Sequence, residues 1–292
     1  MKTLKMISSL MATFLLCGSL SQGRLAQQEL PNPTAAQPDQ PNQEDKARLL
    51  WNKRFEAARA KADAPSSVDG ELIGVTIWRL RPSTPNEEQK DARLLIRKSG
   101  GNSKLIPERV TSSASFGESE QVRLSVESPR NGFLYVIDRE VYADGKLGDP
   151  YLIFPTRTTR GGDNTLTAGK VIDVPALSDQ IPYFTLTRSR QDHTTEMLTL
   201  IVSPAKLDLP LGNEPVKLDA AQLAQWEKQW GGKVEAREAP QSAGSAWTTA
   251  EKEAAEGTRQ LTQGDPLPQT IYKVAVKPGA ALLLNIPLRI KP

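Results

Sequence analysis

The chain has 292 residues, of which 37 are basic and 34 are acidic, so its formal net charge is +3. It contains one cysteine and one histidine, which excludes disulfides, iron–sulfur clusters and cysteine-based zinc sites. Because no strong basic excess is present, we expect no nucleic-acid partner.

The N-terminus has the three parts of a secretory signal peptide. Two lysines lie among the first five residues, an apolar run follows over residues 6–20, and small residues come next at Ser21 and Gly23. The apolar run is shorter than the ~20 residues that a membrane span needs. We predict a signal peptide over residues 1–21, with cleavage after Ser21 or Gly23, and no integral membrane span in the mature chain.

The only cysteine, Cys17, lies inside this signal. It raises the alternative of a lipid anchor, but Leu16 stands where lipidation requires a small residue. A cysteine within an apolar run behaves as a small hydrophobic residue. We therefore expect a protein that is released into the periplasm or the extracellular space, and a lipid anchor at Cys17 is the less favoured alternative.

A tether is predicted between the signal and the folded part of the chain, over residues 22–69. Residues 22–45 are rich in Gln, Pro, Asn and Ala, and they contain too few apolar side chains to offset the entropy cost of ordering. A partial apolar stripe at helical spacing predicts a helix over residues 44–62.

From Gly70 onwards the sequence shows many short strands. Val122, Leu124 and Val126 alternate with polar residues, which is typical of a half-buried strand. Similar segments recur at intervals of 8–14 residues, separated by Gly, Pro, Asn and Asp. This spacing predicts that residues 70–292 form a mainly β domain, an antiparallel β-sandwich.

Two helices are predicted near the C-terminus of this sandwich. Asp219 and Thr248 are typical N-cap residues, and they place helices at about 219–231 and 249–262. Alternating apolar residues on both sides of the Pro-Gly pair at 278–279 then predict a final hairpin.

One stretch resembles a known family. The segments are GFLYVID, ADGK, LIFPT, GGDNTLTAGKVIDVP and EMLTLIVSPAKL, in this order, within residues 122–207. This order resembles the DUF4384 domain, a family of unknown function. The resemblance implies an exported or envelope-associated β domain that is often joined to other modules. It implies no established catalytic residues, and Thr156 departs from the asparagine usual at that position.

A pair of carboxylates is the candidate for catalysis. Asp138 and Glu140 lie two residues apart on a predicted strand, so they share one face at a separation of roughly 7 Å. A pair at this spacing can hydrolyse a glycoside. The competing interpretation is a polar end of an ordinary strand, which we favour.

One loop is the candidate ligand or interaction site. Arg157 and Arg160 precede a Gly-Gly pair that is followed by Asp163 and Asn164. Consecutive backbone N–H groups in such a loop can form a concave anion site. The alternative is a plain surface loop. The sequence predicts no cofactor and no metal site.

His193 and the tryptophans have structural interpretations. His193 lies in the polar stretch RSRQDHTTEM, which predicts a turn between strands with no nucleophile nearby. Trp226, Trp230 and Trp247 could form a carbohydrate platform. The i, i+4 spacing of Trp226 and Trp230 on a helix instead favours packing against the sheet.

The sequence therefore predicts a non-catalytic, exported binding or adaptor module of the cell envelope that engages another protein. The alternatives are a hydrolase of cell-wall glycan acting through Asp138 and Glu140, and a binder of glycans or small ligands.

Overall fold

Alternation of apolar and polar residues places the strands of this chain in two facing β-sheets. The computed structural model describes residues 46, 49, 51–53, 70–90, 92–98, 103–239, 242–277 and 279–292. The predicted signal peptide, Cys17 and most of the predicted tether lie outside these residues. Residues 46, 49 and 51–53 are helical and fall within the helix predicted at 44–62.

The elements follow one another in a simple order. The strands are β1 (Glu71–Pro82), β2 (Ile96–Arg97), β3 (Lys104–Val110), β4 (Ser115–Phe116), β5 (Gln121–Glu127), β6 (Gly132–Tyr142), β7 (Tyr151–Phe154), β8 (Thr165–Leu166), β9 (Val171–Val174), β10 (Phe184–Thr185), β11 (His193–Ser203), β12 (Val216–Lys217), β13 (Val234–Glu238), β14 (Thr270–Val274) and β15 (Leu282–Ile290). The helices are α1 (Pro85–Lys90), α2 (Ala220–Trp230) and α3 (Thr249–Ala255), with 3₁₀ turns at Ala92–Leu94 and Arg160–Gly162.

Among the described residues, the first sheet has eight strands and contains the order β10-β5-β1-β14-β13, with β3 also pairing with β1, β2 with β3 and β9 with β5. The second sheet has seven strands in the order β12-β7-β6-β11-β15-β4, with β8 beside β6. Among the strands that the structure describes, only β15 and β4 pair in parallel, over two residues. The mainly β, sandwich-like fold class predicted from the sequence is confirmed, although the second sheet is mixed.

The main core lies between the two sheets. The alternating residues Val122, Leu124 and Val126 of β5 pack into the same cluster as Leu134 and Val136 of β6. Full burial of each such aliphatic side chain is worth about 1.5–3 kcal/mol. The apolar side chains that alternate along the strands therefore form the core that stabilises the sandwich.

The helix prediction over 219–231 is confirmed, whereas the prediction over 249–262 is too long. The side chain of Asp219 accepts a hydrogen bond from the N–H of Ala221 at the start of α2. Thr248 and its reciprocal partner Glu251 form the predicted capping box of α3. α3 ends at Ala255 because Gly257 follows with φ +74, a left-handed conformation that stops a helix.

The final hairpin predicted around residues 278–279 is wrong. β14 belongs to the first sheet and β15 to the second, so this connection crosses the sandwich. The strand β13 was missed between the two C-terminal helices. Its residues Val234–Glu238 are all exposed or half-buried, and they lack the apolar alternation by which a strand is recognised.

No helix among the described residues is both long and apolar enough to cross a membrane. These residues belong to one compact unit, Pro41–Pro292.

A buried ion pair stabilises the outer side of the first sheet. Nη2 of Arg123 lies 2.6 Å from Oδ2 of Asp173, and both side chains are fully buried. Oγ of Ser125 donates to Oδ1 of Asp173 at 2.5 Å, and Nε1 of Trp78 donates to the same Ser125 oxygen at 2.7 Å. Burial raises the pKa of Asp173 and lowers the pKa of Arg123, while their mutual attraction opposes both shifts.

We expect Asp173→Asn to lower the free energy of unfolding by about 3–5 kcal/mol, because it leaves the Arg123 charge buried without a counter-ion. The measurement is urea unfolding at neutral pH. Lys146→Ala is the control, since it removes an exposed pair with Asp144 that is worth at most about 1 kcal/mol. Equal midpoints for the two variants would contradict a stabilising role for the buried pair.

Candidate functional site

Ionisable side chains gather at one end of the inner face of the second sheet. Leu134 and Val136 of β6 point into the core, and Asp138, Glu140 and Tyr142 continue the same face beyond it. The strand β11 pairs with β6 in antiparallel register and contributes its own polar residues to this end of the face. Alternate residues of a strand lie on the same face, so Asp138 and Glu140 are neighbours on β6, as the sequence predicts.

A third carboxylate joins them from β11. Glu196 pairs directly with Glu140 across the two strands, and only 8% of its side chain is exposed. Asp138 and Glu196 share a side-chain hydrogen bond, which requires one of the two carboxyl groups to carry a proton. Sequence reasoning missed Glu196, because strand pairing brings it to a residue 56 positions earlier in the chain.

Glu140 is held in place by two hydroxyl groups. Its Oε2 accepts hydrogen bonds from the hydroxyl of Tyr142 at 2.7 Å and from the hydroxyl of Ser189 at 2.5 Å. The Arg190 guanidinium lies 4.1 Å from the centre of the Tyr142 ring. Glu140 Oε1 is therefore the oxygen that faces into the cluster, towards His193.

The turn predicted at His193 is wrong. His193 begins β11, and its side chain is completely buried. Its Nε2 lies 3.1 Å from the carbonyl oxygen of Thr195, and its Nδ1 lies 3.7 Å from Oε1 of Glu140. The strand extends further towards the N-terminus than its apolar residues indicate, and an irregularity in register between residues 193 and 195 turns the imidazole inward.

Burial gives these carboxyl groups unusual proton affinities. Burial, followed by the charge of Asp138, raises the pKa of Glu196 to about 9. Burial also raises the pKa of Asp138 to about 6. Burial pushes the pKa of Glu140 upward as well, but the hydrogen bonds from Ser189 and Tyr142 outweigh it and lower the pKa. The cluster thus combines protonated and ionised carboxyl groups near neutral pH.

The candidate loop is only partly assembled into one site. Arg160 and Asp163 line a surface cavity of about 390 Å³ together with Lys170 and Glu256. Arg157 is exposed and does not line this cavity; its N–H donates to the carbonyl of Gly212 at 2.8 Å.

Asn164 and the loop backbone have structural roles. Asn164 is buried, and its Nδ2 donates to the carbonyl of Leu134 at 3.0 Å. The N–H of Arg160 donates to Asp179, and the N–H groups of Gly162 and Asp163 donate to carbonyl groups within the loop. These N–H groups are already used, so they are not free to bind an anion.

The tryptophans pack against the sheets. Trp226 and Trp230 stack at a centroid distance of 5.4 Å on α2, and both lie partly buried against the second sheet. Trp247 is buried, and its ring meets Trp78 edge to face at 6.0 Å. The predicted packing of the helix tryptophans against the sheet is confirmed.

Comparisons with known proteins give no relative for this chain. No family model matches it, and neither a curated protein nor a solved structure matches it.

We expect the stability of the chain to fall between about pH 5 and pH 9. The folded state keeps protons on Asp138 and Glu196 that the unfolded chain releases near its ordinary carboxyl pKa. The stabilisation that these two protonated groups provide is therefore complete at acid pH, and it is lost as the pH rises through their raised pKa values. Unfolding in urea at pH 5 and pH 8, with EDTA present, measures this change.

Glu196→Gln isolates the contribution of one carboxyl group. The amide is neutral at every pH and can donate to Asp138, so this variant should exceed the parent stability at pH 8 by about 1–2 kcal/mol. The difference should shrink at pH 5. Glu214→Gln, at an exposed position, is the matched control and should leave the pH profile unchanged. Parallel profiles for the parent and Glu196→Gln would contradict the burial of a protonated Glu196.

Proposed function

We propose that this protein is a non-catalytic binding module, exported to the cell envelope, that engages another protein by strand addition. Export is supported by the charged, apolar and small-residue parts of residues 1–21. The resemblance of residues 122–207 to DUF4384, with its exported β domains and its lack of established catalytic residues, supports the same function.

The observation that carries the proposal is the edge strand β13, Val234–Glu238. It ends the strand order of the first sheet, pairing with β14 on one side and with no described strand on the other. At one end of β13, the N–H of Ala275 donates to the carbonyl of Lys233 at 2.9 Å. At the other end, the N–H of Ala239 donates to the carbonyl of Gln269 at 2.8 Å.

These two flanking bonds establish which backbone groups of β13 are directed outward. Residues of an antiparallel strand bond alternately to one side and to the other. The odd-numbered residues 233–239 therefore bond to β14, and Val234, Ala236 and Glu238 direct their N–H and C=O groups to the open edge. All three residues are exposed.

An open edge of this kind is a template for another chain. A partner segment in extended conformation can add to it, and the main-chain hydrogen bonds then supply much of the affinity. We commit to an extended segment of another envelope protein as the occupant, because the predicted export signal brings the domain among such proteins. The small side chain of Ala236 leaves the centre of the edge accessible.

The hydrolase alternative is less favoured by the geometry. A glycosidase needs both carboxyl groups in contact with the sugar. Oδ1 of Asp138 is buried, and the same side chain is engaged with Glu196.

The cavity at Arg160 favours a second candidate function, the binding of a small polar ligand. Its lining contains two cationic and two acidic side chains, from Arg160, Lys170, Asp163 and Glu256. A ligand that carries a positive and a negative group would match such a lining. Variants of β13 should leave this binding unchanged, which separates the two functions.

We expect Ala236→Pro to abolish partner capture without unfolding the domain. Proline removes one outward N–H and is tolerated on an edge strand. A photo-crosslinking residue at Val234 of the full chain, expressed in its native envelope, should capture one reproducible protein. Capture should fall at least about tenfold in Ala236→Pro and persist in the control Ala236→Ser, which keeps the backbone donor. Equal capture by both variants, or a dimer of this chain as the only product, would overturn strand addition to a partner.

We expect the envelope form of the chain to begin at Gln22 or Arg24, as cleavage after Ser21 or Gly23 requires. N-terminal sequencing of protein from fractionated cells measures this. Cys17→Ser should leave both processing and release unchanged. A mature chain that begins at Cys17 would refute the free form and establish a lipid anchor.

A further inference from the structure

Three potential metal ligands converge at the end of the second sheet. Glu140, His193 and Glu196 each offer one ligand atom, and these atoms all lie within 4.8 Å of one another. Two neighbouring strands supply them, β6 for Glu140 and β11 for the other two, so the hydrogen-bonded ladder between these strands fixes their spacing.

One buried atom in this cluster lacks a hydrogen bond. Nδ1 of His193 is buried and has no hydrogen-bond partner among the described residues. The His193 side chain is fully buried, so bulk solvent does not contact this nitrogen. Native proteins rarely leave such groups unsatisfied, because each costs about 1–3 kcal/mol.

The orientation of His193 leaves one nitrogen available as a ligand. The carbonyl oxygen of Thr195 accepts only, so Nε2 donates to it at 3.1 Å, and the same nitrogen lies 3.6 Å from Oε2 of Glu196. Nδ1 faces Oε1 of Glu140, 3.7 Å away. A metal-binding histidine characteristically donates its other N–H to a backbone carbonyl in this way.

Glu140 is oriented in the same manner. The hydroxyl groups of Tyr142 and Ser189 donate to its Oε2, and Oε1 remains directed to the cluster. Tyr142 and Ser189 are therefore positioning residues, which act on the metal through Glu140. Two lone pairs that face each other, one on Nδ1 and one on Oε1, repel unless a proton or a cation lies between them.

We propose that Glu140, His193 and Glu196 bind one divalent transition-metal ion. One imidazole together with carboxylates is a donor set that suits Zn²⁺ or Mn²⁺, whereas Ca²⁺ and Mg²⁺ prefer oxygen ligands alone. Ligands at about 2.1 Å from Zn²⁺ stand roughly 3.4 Å apart, so the side chains close in slightly on binding. Glu196 releases its proton when the ion binds, so the two glutamates then balance the charge of the ion, and Asp138 supplies a further carboxylate beside Glu196.

This site is independent of partner binding through β13, because none of its residues belongs to the first sheet. Sequence reasoning found no metal site, since the three ligands are not arranged at the spacing of any familiar metal motif.

The first test is titration of the metal-free full chain, produced without a histidine tag, with Zn²⁺ in a calorimeter. We expect one Zn²⁺ per chain, and at least about tenfold weaker binding by Glu196→Gln. This variant keeps the shape of the side chain, and its folding is checked by urea unfolding. Asp144→Asn, which removes an exposed carboxylate at the nearby hairpin, and Cys17→Ser are the controls and should bind as the parent does.

The single histidine provides a second, direct test. Nitrogen-15 labelling of histidine gives one imidazole, and its two nitrogens are distinguishable by NMR. On addition of Zn²⁺ we expect the Nδ1 resonance to shift while Nε2 keeps its proton. Absence of zinc binding, unchanged imidazole resonances, or equal affinity of the parent and Glu196→Gln would each overturn the proposal.

Discussion

The antiparallel pairing of β6 with β11 is the interaction on which the rest of the structure depends. Each strand is 11 residues long, and together they form the centre of the second sheet. Over one half of this ladder the inner face is aliphatic and fills the core between the sheets. Over the other half the same face carries ionisable groups. One continuous ladder of hydrogen bonds therefore carries both part of the aliphatic core and a cluster of ionisable groups.

The end of the β6–β11 ladder that carries the ionisable groups is costly in folding free energy. Three carboxyl groups lie together there with the imidazole of His193, and burial opposes the ionisation of the carboxyl groups. The cluster lowers its charge by holding protons, and a bound cation would lower it in another way. The buried pair of Arg123 and Asp173 shows the contrasting solution within the same chain, in which each charge is opposed by its counter-ion.

The side chains of β13 are exposed or half-buried because this strand lies at the edge of its sheet. This strand adds to the first sheet through its backbone, so its side chains contribute little to the core and are free to be polar. The same property makes it a binding edge, because a strand that was stabilised by backbone bonds on one side offers equivalent bonds on the other. Binding through the edge and ligand binding in the polar cluster thus occupy different sheets.

The sequence by itself determined the mainly β class, the length of α2 and the capping box of α3, because each rests on local periodicity or on contacts three residues apart. It also placed Asp138 and Glu140 on one strand face. Only the tertiary structure decided that Glu196 and His193 join them, since strand pairing connects residues more than 50 positions apart. Likewise, β13 and the crossover between β14 and β15 depend on which strands share a sheet, and local sequence carries no signal for that.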